Sequence, residues 1–268
     1  MLRLILTRIF LGCLTLFAVT ILIFAATEIL PGDVASAILG QGATPETLAA
    51  FRIELGLNRP AYVRYFEWLS NALQGDLGTA LTNNREVLAT ITPRLINTLF
   101  LAGYAAVIAV PIAIFLGIFA AINEGKWIDR AANIVSLGAI SVPEFFIAYI
   151  LIFVFATNLG WFPSLSTVYS DMGFWQKIHV VALPSITLTM LVTAHMLRMT
   201  RASVLAIMSQ PYIEMAFLKG LPRNQVILHH ALPNAAAPII SVIALNLAYL
   251  IVGVVVIELV FVYPGAVS

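Results

Sequence analysis

Charge is scarce in this chain. Only 10% of its 268 residues are Asp, Glu, Lys or Arg and 61% are hydrophobic, against about 25% charged in an ordinary soluble domain. The formal net charge of +1 gives a nucleic-acid partner no electrostatic support. Cysteine is nearly absent: Cys13 alone excludes an intrachain disulfide and a cysteine-based metal site. No G-x-x-x-x-G-K-[ST] phosphate loop exists, since Gly125-Lys126 lacks the upstream glycine and runs into Trp127. ATP energy cannot enter by that route. The four histidines are His179, His195, His229 and His230. The adjacent pair would point about 100° apart on a helix, and no H-E-x-x-H spacing occurs, so no metal site is expected. No G-x-S-x-G supports a serine hydrolase.

The few charges are gathered into loops, leaving apolar runs long enough to cross a bilayer. Ile9–Leu30 reads as a first span, roughly 22 residues or about 33 Å of helix. Arg3 and Arg8 precede it as in a signal peptide, but the run exceeds a typical h-region and lacks a clear cleavage site, so it reads as retained. Leu30-Pro31-Gly32-Asp33 ends it. A polar region follows to Arg94, with Thr44-Pro45 as a helix start, Gly56 as a stop, and a second helix from Arg59-Pro60 to just before Gly75. Further spans are expected at Asn97–Ile122, Asn133–Ala156, Val181–Leu197 and Ala236–Val262, with Pro111, Pro143 and Pro184 marking kinks. The domain reading is therefore 1–30, an N-terminus and first span; 31–96, a helical insert; and 97–268, a transmembrane core. The fold class is an all-α polytopic membrane protein with five spans.

Basic residues set the orientation. Arg3, Arg8, Lys126, Arg130, Arg198, Arg201, Lys219 and Arg223 share one side if five spans alternate, which places the N-terminus in the cytoplasm. The 31–96 insert, with five arginines against six acids, falls outside.

The longest polar interruption of the second half is Pro211 to Asn234, within 209–234. Ser209 reads as a helix cap with Pro211 in the first turn. Ile213, Ala216 and Phe217 share one face, and Gly220 follows Lys219 as a stop. Leu221-Pro222 reads as the start of a second helix that Leu232-Pro233-Asn234 ends. A loop this stiff reads as a docking surface; an amphipathic helix lying on the membrane is the plainer alternative.

Glu214, Ala216 and Gly220, followed by Leu232-Pro233, resemble the E-A-A, G, I-x-L-P loop of bacterial ABC importer permeases, with Met215 in place of an alanine and His230 in place of the isoleucine. The insert's LGLNRP, WL and GDLG segments and the Pro31-Gly32-Asp33 turn are similar to the dipeptide, oligopeptide and nickel permease subfamily. The resemblance implies a permease subunit of the bacterial inner membrane, without catalytic residues. Its partners would be a sister permease, two ATP-binding subunits that carry ATP and Mg, and an extracytoplasmic solute-binding protein. Glu214, Ala216, Phe217, Gly220, Leu232 and Pro233 would couple to the ATPase. Six spans are implied, so a sixth is expected beyond the fifth and its Tyr263-Pro264-Gly265 motif, with the sequence given being a fragment.

Ionisable groups at membrane depth are the remaining clues, because burying them is expensive. Glu144 beside Pro143 is a departure from the related permeases, which usually carry a neutral residue there. It is a candidate for the translocation path, facing a cationic group of the solute; a protonated or hydrogen-bonded carboxyl is the structural alternative. His195 and Asn246 are path candidates too, with interhelical hydrogen bonding as the alternative. Glu258 and Glu28 sit near outer span ends. Competing functions are a self-contained transporter or channel, and a membrane-embedded hydrolase acting through Glu144 or His195. The sequence does not name the solute.

Overall fold

The computed structural model describes residues 2–29, 34–39, 44–54, 56–80, 83–169, 171–222 and 225–266. The expected turn at Leu30–Asp33 and the basic residue Arg223 lie outside them. Among the described residues the structure is helical, its one β contact being a bridge between Thr79 and Glu86. The chain forms two compact units, Met1–Thr90 and Ile91–Ser268, so the first span groups with the insert.

In the first unit, α1 (Leu2–Ile29) buries none of its residues within the chain. A helix apolar on every side suits a lipid solvent. Short helices α2 (Val34–Leu39) and α3 (Pro45–Glu54) follow. Thr44 starts α3 as its position suggested, its Oγ1 accepting the Thr47 N–H at 3.3 Å. Gly56, at φ +65°, ends the segment. Helix α4 (Ala61–Leu73) begins after Pro60 and stops ahead of Gly75, which is also left-handed.

Helix α5 (Val87–Ile122) leads into the second unit and starts at Val87 rather than Asn97. Its buried stripe, Leu101, Ala105, Ala109, Ala113 and Gly117, repeats every fourth residue, so small side chains line one edge. Against Gly117 a Cβ would stand 2.8 Å from the Leu197 carbonyl oxygen and from Thr200 Cβ. The glycine is what allows α5 to approach its neighbour so closely.

The expected third span is not one helix. Helix α6 (Trp127–Ser141) ends at extended Val142 and Pro143, and α7 (Glu144–Leu151) leaves at 100° to it, continuing as a π-helical stretch, Ile152–Asn158. Pro143 has no N–H to bond back into α6 and drives Val142 out of the helical region, so the helix breaks there. The fourth span also differs. Helix α8 (Phe174–Val180) meets α9 (Ala182–Met208) at 60°, with Val181 as the hinge and Pro184 inside the first turn of α9. Because α9 runs to Met208 and not Leu197, Arg198 and Arg201 lie on a helix and not in a loop. Helix α10 (Pro211–Leu218) is followed by a π-helical segment, Val226–Ala231, that runs directly into α11 (Leu232–Phe261). Among the described residues three helices are singly long and apolar enough to span a membrane: α1, α5 and Val226–Phe261. The number rises to five if each bent pair is one span.

Helix α9 is the axis of the second unit, packing along α11, α6 and α7. The core drawn from α5, α7, α9 and α11 includes Leu101, Ile147, Leu151, Met196, Leu250 and Phe261. At one end of this unit the start of α5 is tied to the turn after α11. Tyr263 Oη donates to the Asn97 carbonyl (2.7 Å), Asn97 Nδ2 donates to the Pro264 carbonyl (2.9 Å), and the Ala266 N–H donates to Thr98 Oγ1 (2.9 Å). Thr98 in turn donates to Glu258, which is fully buried. Glu258 is thus an internal tether of the Tyr-Pro-Gly turn. Gly265 packs against its carboxylate so closely that no Cβ fits between them.

Candidate functional site

The polar hairpin at 209–234 is held by its own small core. Ile213 and Ala216 of α10 are buried with Val226 and Ala231, and Ile207, Met208 and Leu221 pack against them. Ser209 does not cap α10. It closes α9, donating its hydroxyl to the Ala206 carbonyl, and Gln210 precedes Pro211 at the helix start. Phe217 does not join the buried face and is half-exposed.

Gly220 does what its position suggested, and the structure supplies the reason. The Leu221 N–H donates to the Ala216 carbonyl (3.3 Å) and the Gly220 N–H to the Phe217 carbonyl (2.9 Å), with Gly220 at φ +82°. This paired six-to-one and five-to-two closure satisfies the last carbonyls of α10 and requires a left-handed residue. Leu232-Pro233-Asn234 does not stop a second helix; it opens α11. The Leu232 N–H bonds five residues back to Ile227, so the wider π turn has already displaced the ladder where Pro233 lacks a donor. The chain therefore continues unbroken from Val226 to Phe261.

The outer surface of α10 carries Glu214 together with exposed Tyr212, Met215 and Leu218, the last 74% accessible. Beside it Phe217, Leu205, Met208, Ser209 and Glu124 line a hollow of about 440 Å³. The loop after α5 and the hairpin therefore stand at the same end of this unit, opposite to Tyr263–Gly265. α10 is thus a short helix on a firm base, with exposed apolar side chains around one acid.

The loop after α5 is anchored by a pair the sequence reading missed. Arg201 of α9 grips Asp129 in the first turn of α6 with both Nε (2.5 Å to Oδ1) and Nη2 (2.8 Å to Oδ2). Asp129 is 4% exposed and also accepts the Gly125 N–H and Asn133 Nδ2, each at 3.0 Å. The signals were an acid in a first helical turn and an arginine inside what proved to be a helix. Their 72-residue separation hid the pairing.

The three residues expected on a path, Glu144, His195 and Asn246, meet. They line one cavity of about 630 Å³ with Met199, Tyr249 and Gly253, bounded by α7, α9 and α11. Glu144 stands at the first position of α7, placed there by the turn at Pro143. Its Oε2 is buried with no hydrogen-bond partner among the described residues. Neither a helix–helix hydrogen bond nor an arginine accounts for it. Asn246 is buried and donates to the Val242 carbonyl of its own helix at 2.8 Å. A second cavity of about 350 Å³ shares His195 and Met199 and adds Asn133, Arg198 and Arg201. His195, Arg198, Met199 and Ala202 follow helical spacing along one face of α9. The two hollows therefore share one wall, with a carboxylate toward one end and a guanidinium toward the other. No three His, Cys, Asp or Glu side chains gather as a metal site among the described residues.

Comparison with known proteins gives two family matches. Residues 113–268 match the binding-protein-dependent transport system inner membrane component, and residues 1–102 match the N-terminal part of the same membrane components. The glutathione transport system permease protein GsiC of Escherichia coli O6:H1 (strain CFT073) is 39% identical over 251 residues, covering 94% of this chain and 79% of that protein. The proteins of the same name from Escherichia coli strain K12 and Shigella dysenteriae serotype 1 are each 38% identical over the same shares.

Proposed function

Since this chain belongs to the family of binding-protein-dependent transport system inner membrane components, we propose that it forms half of the path of an ATP-driven importer for small peptides. The resemblance to ABC importer permeases carried by Glu214, Ala216, Gly220 and Leu232-Pro233 is borne out at the level of the family. In our reading a sister permease supplies the other half. ATP and Mg are held by two partner ATPases, and an extracytoplasmic binding protein delivers the solute. Both bent pairs count as spans, giving five in this chain, with the N-terminus in the cytoplasm.

The observation that carries this reading is the hairpin. α10 is too short to be stable alone, yet its end is fully closed at Gly220 and its buried face is fixed by Ile213 and Ala216. Its exposed face is thereby presented in one orientation. Closure of the ATPases would move α10, and with it the joined segments α9 and Val226–Phe261, whose side chains line the cavity around Glu144. The solute's amino group would meet the Glu144 carboxylate there. A ligand shifts such an equilibrium only by its differential affinity for the two states, so ATP moves the path only as far as it favours the closed ATPases.

Gly220→Glu tests this in the assembled transporter. The left-handed backbone there resists any side chain, while no atom stands within 4 Å of a Cβ, so the change acts on the closure of α10 and not on core packing. Membrane insertion should be normal, and ATP-dependent uptake and co-purification of the ATPase should be lost. Normal uptake by that variant, or uptake by the isolated chain without an ATPase, would overturn the reading.

A further inference from the structure

Helix α4 carries two faces of opposite character. Tyr62, Tyr65, Phe66, Leu69 and Leu73 recur at three- and four-residue steps and form one apolar stripe, while Arg64, Glu67 and Asn71 form the other face. In a helix of a water-exposed cap the stripe would be the buried side. Here only Tyr65 is buried; Tyr62 is 67%, Phe66 59% and Leu73 82% exposed. The stripe needs an apolar environment that the chain itself does not supply.

The contacts of α4 fix its depth against α1. The Tyr65 ring lies between Phe17 and Phe24. Its hydroxyl reaches Thr20 Oγ1 at 2.8 Å and is the donor there, because the Thr20 proton goes to the Phe17 carbonyl. Thr20 stands nine residues before Ile29, about 13 Å inside the end of α1 at helical rise. Neighbouring Arg64 turns the other way, passing over the Phe24 ring at 6.0 Å to reach Glu28 Oε1 at 2.6 Å. One side chain descends into the apolar run and the next climbs to its polar end, as expected of a helix at a lipid–water boundary. Arg59 and Glu67 pair with each other on the polar side. Between α1 and α4 an apolar hollow of about 360 Å³ is lined by Phe17, Ile21, Phe24, Tyr62, Tyr65 and Phe66. It adjoins the exposed apolar surface of α1, a helix long and apolar enough to span a bilayer.

We propose that α4 is not part of an aqueous cap but lies in the leaflet at the Ile29 end of α1, with phospholipid acyl chains covering its Tyr62–Leu73 stripe and filling the hollow against α1. The Arg59–Glu67 and Arg64–Glu28 pairs then sit at headgroup level. The insert between the first two spans is in this way anchored to lipid through α4, a contact that does not depend on the solute or on the ATPase.

The test uses the full chain in its assembled complex, in phosphatidylcholine–phosphatidylglycerol vesicles, with Cys13→Ser as background. Single cysteines at Phe66→Cys and Leu73→Cys on the stripe, and at Asn71→Cys on the polar face, carry a polarity-sensitive bimane label. The labels at 66 and 73 should emit to the blue of the one at 71 and lose intensity to lipids bearing a nitroxide high on the acyl chain, with little loss to aqueous iodide. The label at 71 should show the reverse. Leu73 ends the helix at the surface, so it keeps the test alive if Phe66→Cys disturbs the packing of Tyr65. Iodide quenching at 66 and 73 would return α4 to an aqueous cap and overturn the proposal. Shielding of both from iodide and from lipid nitroxide would overturn it equally, by showing that protein covers the stripe.

Discussion

Arg201→Met isolates the contribution of the bidentate pair with Asp129. The change keeps much of the apolar stem of the side chain but removes the guanidinium. Asp129, 4% exposed, would then be a buried carboxylate left with the Gly125 N–H and Asn133 Nδ2 as donors. Removing one partner of a buried pair destabilises by about 3–5 kcal/mol; the two surviving neutral donors put the expectation near the lower end, about 3 kcal/mol. Asp129→Asn alone leaves Arg201, the more exposed partner, and should lose about 1–2 kcal/mol, a charged hydrogen bond exchanged for neutral ones. The double variant Asp129→Asn/Arg201→Met buries no unpaired charge and should lose no more than about 1–2 kcal/mol. The two single losses together therefore exceed the double loss by at least about 2 kcal/mol, within the range of coupling between residues in contact. Reversible unfolding in dodecylmaltoside micelles titrated with dodecyl sulfate, followed by helicity, measures all four proteins. An Arg201→Met protein within about 0.5 kcal/mol of wild type, the ordinary surface range, would refute the argument. So would strict additivity of the two changes.

Gly117→Leu should force α5 away from Leu197 and Thr200 and destabilise by about 1–3 kcal/mol as overpacking, with Gly117→Ala milder; thermal denaturation in detergent measures both. Gly265→Ala should destabilise by displacing the Glu258 carboxylate, and Glu258→Ala in the same chain should recover part of the loss because it empties the space the new methyl needs. Failure of that rescue would show that Gly265 is needed for its backbone and not for its missing side chain. Glu144→Gln in the reconstituted importer should lower uptake of peptides with a free amino group roughly 10- to 100-fold relative to N-acetylated ones, a charge-assisted hydrogen bond being about 1.5–3 kcal/mol. The same binding protein serves both variants, so its own selection cancels in the ratio, and an unchanged ratio would remove Glu144 from solute recognition.

What the sequence determined by itself is local. A left-handed stop needs glycine whatever surrounds it, so Gly56 and Gly220 ended their segments where expected. Thr44 opened α3 because its hydroxyl reaches only three residues ahead. The apolar runs marked α1, α5 and α11 because a run too long for a small water-soluble core has the bilayer as its natural solvent. The Glu214–Gly220 spacing carried the family because it sits within one short hairpin. Even locally the signal was incomplete: Ser209 is as good a residue to close α9 as to open α10, and only the course of α9 to Met208 decides.

Tertiary structure decided the rest, since the deciding partners are far apart in the chain. Pro143 announced a disturbance, but whether α6 kinks or turns through 100° depends on what α7 finds to pack against, and α7 packs on α9 and α11. Leu232-Pro233 reads as a stop until the π turn before it, which packs on α9 and α10, moves the missing donor out of the ladder. Asp129 and Arg201, or Thr98 and Glu258, are separated by 72 and 160 residues and carry no mark of their pairing. Glu144, His195 and Asn246 were singled out one at a time because a polar group in an apolar helix is costly anywhere. That they line a single cavity follows from the packing of α7, α9 and α11, which brings three distant segments around one space.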